Sequence, residues 1–212
     1  MKTIQQIGLL LLASLFVTAC STTKITSSWK AANVQPKHYS KILVLGLIKD
    51  SDRSLQEKME AHLVDDLKSK GYNAVGSLQE FGPKAFSNVT EAEALARLKQ
   101  INIDAVVTIV LLDKQKERNY VPGRMYYSPY VMYYNRFWPY YGTLNYRIYE
   151  PGYYVTDTRY FWESNVYEVS TQSLLYSVQT KSFDPANSES LGHEYGRLII
   201  ADIVKNNILL QQ

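Results

Sequence analysis

The sequence predicts an α/β fold: a small mixed sheet with a β-α-β-α-β parallel core, an antiparallel C-terminal hairpin, a C-terminal helix and a Tyr-rich insertion. Three observations carry this. The runs KILVLGLI (residues 41–48) and DAVVTIVLLD (residues 104–113) are continuously apolar, as in strands covered on both faces. Helical patterns with short connections lie between them, which implies two right-handed crossovers. Residues 153–169 and 174–183 are long β-prone runs with a short polar join at 170–173, the pattern of an antiparallel hairpin.

The elements follow in order. After the first strand, Ser54 and Glu57 have capping-box spacing, Leu55, Met59, Leu63 and Leu67 form one helical stripe, and Gly71 offers a C-terminal stop. Residues 72–77 (YNAVGS) read as a short strand, followed by a loop containing Gly82 and Pro83. Thr90 and Glu93 repeat the capping-box spacing before a helix with Leu95, Leu98 and Ile101 inward. The last helix is predicted to start near Asn187 or Ser188 and reach about Leu209, burying Leu191, Tyr195, Leu198, Ile199 and Ile203.

The amino terminus, MKTIQQIGLLLLASLFVTAC, has one early lysine, a short apolar run and a small-residue exit. A run this short reads as an export signal rather than a membrane span, which needs about 20 apolar residues. The VTAC ending resembles the lipobox of bacterial lipoproteins, which implies that Cys20 is acylated and becomes the first mature residue. Cys20 is the only cysteine, so a disulfide or a thiolate metal site would lack partners. The expected organisation is a signal peptide at 1–19, a polar tether at 20–40 and a single α/β domain at 41–212 with the insertion at about 118–152. Fully extended, that tether would reach roughly 70 Å. Trp29 offers a way to dock part of it on the domain. By resemblance to enterobacterial sorting rules, Ser21 after the cysteine favours the outer membrane, facing the periplasm.

The element order, the lipobox and the phrase YEVSTQSLLYSVQTKSFDP resemble small bacterial envelope lipoproteins. The architecture looks like the amino-terminal domain of the TolB envelope protein and the lipoprotein activators of penicillin-binding proteins. The resemblance covers about residues 41–113 and 157–209, implies fold and compartment, and supplies no catalytic residues. It leaves the Tyr-rich insertion unmatched.

Little points to catalysis. Removing Lys2 with the signal leaves 22 Lys and Arg against 20 acids, too even a balance to argue for nucleic acid. The three histidines, His38, His62 and His193, show no metal-ligand spacing, and His62 is expected on a solvated helix face. No Gly-rich phosphate loop and no nucleophile elbow are present, so neither a cofactor nor a hydrolase is expected. Asp50, Asp52 and Asp113 follow central strands, where open α/β sheets bind ligands. Asp50 and Asp52 also suit a helix start, and Asp113 a charged run, and these structural readings are preferred. No enzyme activity is expected.

The insertion is where composition changes. Thirteen of eighteen tyrosines lie between Tyr120 and Tyr160, and the basic residues strictly between Lys116 and Lys181 are all arginine. Pro122, Pro129, Pro139, Gly123, Gly142 and Gly152 break the segment into short extended pieces. Tyrosine and tryptophan give stiff amphipathic contacts, and arginine adds forked hydrogen bonds and cation–π stacking. The expected contact residues are Tyr126, Tyr127, Tyr130, Tyr133, Tyr134, Arg136, Trp138, Tyr140 and Tyr141. The partners expected for them are an envelope protein or a second copy of the chain, with peptidoglycan or another glycan as the alternative. The membrane–water interface and packing within the protein's own fold stay open.

Overall fold

A computed structural model describes residues 22–32, 34–84, 86, 88–121 and 153–210. Cys20 and the nine insertion residues from Tyr126 to Tyr141 named above therefore lie outside the described residues. The strands are β1 (Thr23–Lys30), β2 (Ile42–Leu47), β3 (Ala74–Gly76), β4 (Ala105–Val121), β5 (Tyr153–Glu168) and β6 (Leu174–Phe183). The helices are α1 (Arg53–Ser69), α2 (Ser77–Phe81), α3 (Glu91–Gln100) and α4 (Ser188–Lys205). None of these helices is long and apolar enough to cross a membrane.

The six strands form one mixed sheet in the order β1-β6-β5-β4-β2-β3. β2 runs parallel to both β3 and β4, with Ile42 level with Ala74 on one side and Ala105 on the other. With β2 between its partners, successive right-handed crossovers place α1 and α3 on opposite faces. β1 is antiparallel to β6. β5 and β6 are sheet neighbours joined by only five residues, too few for a parallel crossover, so they form the expected hairpin.

The chain divides into two compact units, residues 1–113 with 160–212, and residues 114–159. In the larger unit, α1 and α4 cover one face of the sheet. Leu55, Met59, Leu63 and Leu67 meet Ile42, Val44, Val107 and Ile109 from α1, while Leu191, Tyr195, Ile199 and Ile203 of α4 meet Trp162, Tyr176 and Val178. The other face has a smaller core, Leu43, Val106, Ile103 and Val169 under Leu98 of α3. Beyond it Phe161, Glu163, Tyr167, Gln179 and Lys181, outward side chains of β5 and β6, are not buried. This half-covered sheet departs from uniform burial on both faces.

Four sequence expectations change. The tether at 20–40 contains strand β1, which docks through backbone pairing to β6 rather than through Trp29, whose side chain is 52% exposed. The Ser54–Glu57 box does not form, because a 3-10 turn at Asp50–Asp52 brings the chain into α1 two residues earlier, with Asp52 at the N-cap and Arg53 first in the helix. The strand at 104–113 continues to Val121 through the charged run. The last helix stops at Lys205, where Asn206 caps it and Asn207 turns with φ 51°. By contrast, the Thr90–Glu93 capping box is complete. Gly71, at φ 87°, ends α1 in a Schellman turn, with Tyr72 N–H donating to Leu67 O and Gly71 N–H to Lys68 O.

Candidate functional site

In the smaller unit, β4 and β5 carry on as a two-stranded ribbon whose neighbouring side chains pair. Arg159 donates to Glu117 at 2.6 Å and Asn119 to Asp157 at 2.7 Å. The Tyr120 and Tyr154 rings lie 5.1 Å apart, and the Arg118 guanidinium stands 4.2 Å above the Tyr154 ring. As one residue number rises its partner's falls, so the strands are antiparallel. Charge and stacking hold this ribbon, since it has little apolar surface to bury.

Its tyrosines face solvent. Tyr120, Tyr153 and Tyr154 are 55%, 62% and 58% exposed. Of the five tyrosines outside the 120–160 stretch, Tyr39, Tyr72, Tyr176 and Tyr195 are buried. Each of those four fits a core role. The Tyr176 hydroxyl donates to Asp202, Tyr195 shares a 2.5 Å bond with Ser164, and burial pushes the Tyr39 hydroxyl up to about 12. The same residue type thus occupies two environments in one chain. Arg118, Tyr120 and Tyr154 stack on one another at the ribbon's surface, with Tyr153 exposed beside them, where the chain leads into residues 122–152.

Sequence reasoning did not single out these four, because they flank the densest tyrosine run. Only their residue type was visible in the sequence. Grouping them needs the pairing of β4 with β5, which joins residues more than thirty apart in the chain.

The carboxylates expected near the strand ends sit differently. Asp50 and Asp52 belong to the turn before α1, and Asp113 is exposed in the middle of β4. The carboxylate at the carboxyl ends of β2 and β3 is Glu60, 2% exposed and overlooked because it sits inside an amphipathic helix pattern. Its Oε1 accepts from Gly46 N at 2.9 Å, Gln56 Nε2 at 3.0 Å and Ser77 Oγ at 2.8 Å, and its Oε2 from Leu78 N at 3.0 Å. Gly46 is what lets it approach: a Cβ there would lie 2.8 Å from Glu60 Oε1. Glu60 fills the position that ligands take in open α/β sheets, and its donors fix β2, β3 and α2 together. That is a structural pin.

His62 also departs from expectation. It faces α4, not solvent, with Nε2 2.8 Å from Glu189 Oε1 and its ring 6.1 Å from that of His193. One turn on, Asp66 Oδ2 is buried with no hydrogen-bond partner among the described residues. Desolvation holds the Asp66 carboxyl above its ordinary value, opposed by His193, His62 and Arg197. Among the described residues no group of three His, Cys, Asp or Glu side chains could hold a metal ion.

No family model matches the chain, and no curated protein matches it. Solved structures do resemble it. PelC from Paraburkholderia phytofirmans, solved as a dodecamer, shares 11% identity over 89% of this chain and 99% of that chain, with a TM-score of 0.45. Lipoprotein GNA1162 from Neisseria meningitidis shares 13% identity over 78% and 99%, with a TM-score of 0.43. A homolog of the neuraminyllactose-binding hemagglutinin from Helicobacter pylori shares 11% identity over 83% and 87%, with a TM-score of 0.34. At these values the likeness carries nothing about function.

Proposed function

We propose that this protein is a non-enzymatic lipoprotein of the bacterial envelope, acylated at Cys20, that uses the aromatic ribbon and the insertion it supports to hold an envelope protein or a second copy of itself. One observation carries the reading: Tyr120, Tyr153 and Tyr154 are more than half exposed on a ribbon fixed by cross-strand pairs, whereas four tyrosines elsewhere are core. Aromatic and arginine side chains pre-ordered on paired strands lose little entropy on contact, which suits an interface anchor. The periplasmic face of the outer membrane is the proposed location, from the lipobox and Ser21.

The ribbon also dictates the test. Val121 and Tyr153 end the two described strands, so residues 122–152 can be replaced by Asn-Gly, the two-residue link that antiparallel strands favour. The expected result is an unchanged thermal unfolding transition together with loss of the crosslinked partner or of the oligomer. An unchanged partner set and oligomeric state would contradict the proposal. The glycan alternative predicts something different: wild-type protein co-sediments with purified sacculi, and the variant with Trp138, Tyr140 and Tyr141 changed to alanine does not.

A further inference from the structure

The chain is pinned very soon after Cys20. Thr22 donates from both its N–H and Oγ1 to Glu194 Oε2, at 2.8 and 2.9 Å, and its carbonyl accepts from Phe183 N–H at 3.0 Å. Thr23 then begins β1, with its hydroxyl 2.8 Å from Ser182 Oγ. Two residues of chain reach about 7 Å at most. The headgroup layer of one leaflet is about 5–8 Å deep. A lipid on Cys20 therefore leaves the domain no room to stand off from its membrane.

The residues at that end of the sheet suit the position. Lys24 and Lys181 lie side by side across β1 and β6. Phe183, the last residue of β6, is 44% exposed. Lysines with long apolar stems beside an aromatic ring match the phosphate and ester layer of a lipid surface. Register carries the same level across the larger unit. Lys181 lies over Phe161, Gln179 reaches Glu163, and Asn165 N–H meets Thr108, which puts Thr23 and Ser182 about level with Tyr160 and with residues 113–116 of β4. The larger unit thus hands the chain to the ribbon, and takes it back, at the same end.

We propose that the domain sits end-on against the leaflet that holds Cys20, with Lys24, Lys181 and Phe183 among its headgroups. This seating rests on the acylation of Cys20 proposed above. It puts the end of the larger unit where β4 leaves and β5 returns on the membrane-facing side.

The test uses full-length protein in its own membranes, with a thiol-reactive fluorophore at Phe183→Cys or at Ser173→Cys. Ser173 lies in the β5–β6 turn, and the ten residues of β6 separate the two sites by about 33 Å. Membranes doped with a headgroup-located quencher lipid are expected to quench the Phe183 site several-fold more than the Ser173 site. A flexible Gly/Ser insertion between Ser21 and Thr22 is expected to abolish the difference. Equal quenching at the two sites on acylated protein would overturn the seating, as would a difference that survives the insertion. Labelling of unsubstituted protein at Cys20, or a mass without acyl chains, would instead overturn the anchor reading and the seating with it.

Discussion

Single residues show one side chain, tyrosine, in a buried and in an exposed setting. Tyr176 and Tyr195 have hydroxyls raised by burial first, and each has a defined partner, so they belong to the core. Tyr153 and Tyr154 lie in the ribbon and take no part in the buried core of the larger unit. Changing both to alanine is expected to move the urea midpoint by less than about 0.5 kcal/mol in stability while weakening partner capture. Glu60 is the opposite case. Glu60→Ala strands two backbone N–H groups and the Ser77 hydroxyl in a buried space and is expected to cost about 3 kcal/mol, read from urea unfolding.

Asp66 gives a pH-dependent result at the same scale. Its carboxyl is raised in the folded state, so the fold favours the protonated form and gives up stability as pH rises through the raised value. Asp66→Asn is therefore predicted to raise Tm at pH 7, with the gain shrinking on acidification and vanishing below the ordinary aspartate range. A variant less stable than wild type at pH 7 would mean that the attraction of His62, His193 and Arg197 outweighs desolvation.

At the scale of elements, the packing of α1 on α4 depends on two glycines four residues apart. A Cβ at Gly192 would lie 2.7 Å from His62 Cδ2, and one at Gly196 would lie 2.3 Å from Asp66 Oδ2. Gly196→Ala is expected to destabilise by about 2 kcal/mol, because the Asp66 carboxylate would have to leave its buried position to admit the methyl group. Strand β1 provides a second test. Deleting residues 22–30 should lower Tm by uncovering β6 and removing Ile25 from the core, whereas a free tether would leave it unchanged.

These elements also show what could be read from sequence. Helices α1, α3 and α4 were legible because a stripe such as Leu55-Met59-Leu63-Leu67 has the helical period whatever it packs on. Strand β1 was not. Of its eight residues only Thr23 is buried, so it pairs through its backbone and leaves almost no hydrophobic pattern. The far half of β4 was hidden for a related reason: in DKQKER charge pairing with β5 replaces apolar alternation. Among possible sites, the tyrosine surplus was visible as composition. The exposed set at the ribbon base needed the β4–β5 register, which no local window contains.

The whole molecule combines a domain pinned two residues after Cys20, the proposed lipid attachment point, with an aromatic ribbon and an incompletely covered sheet. Strand order β1-β6-β5-β4-β2-β3 is set by pairings between residues as far apart in sequence as Thr23 and Ser182, which is why it could not be read in advance. It brings the beginning of β1 and the two chain crossings at Asp113 and Tyr160 to one end of the larger unit. The most direct measurement is site-specific photo-crosslinking in intact cells, with the photoreactive group at Tyr154 and, as a control, at Ser173. The account predicts a discrete adduct, to an envelope protein or a second copy, from Tyr154 and none from Ser173. No adduct from Tyr154 on correctly acylated, folded protein, or the same adducts from both positions, would contradict it.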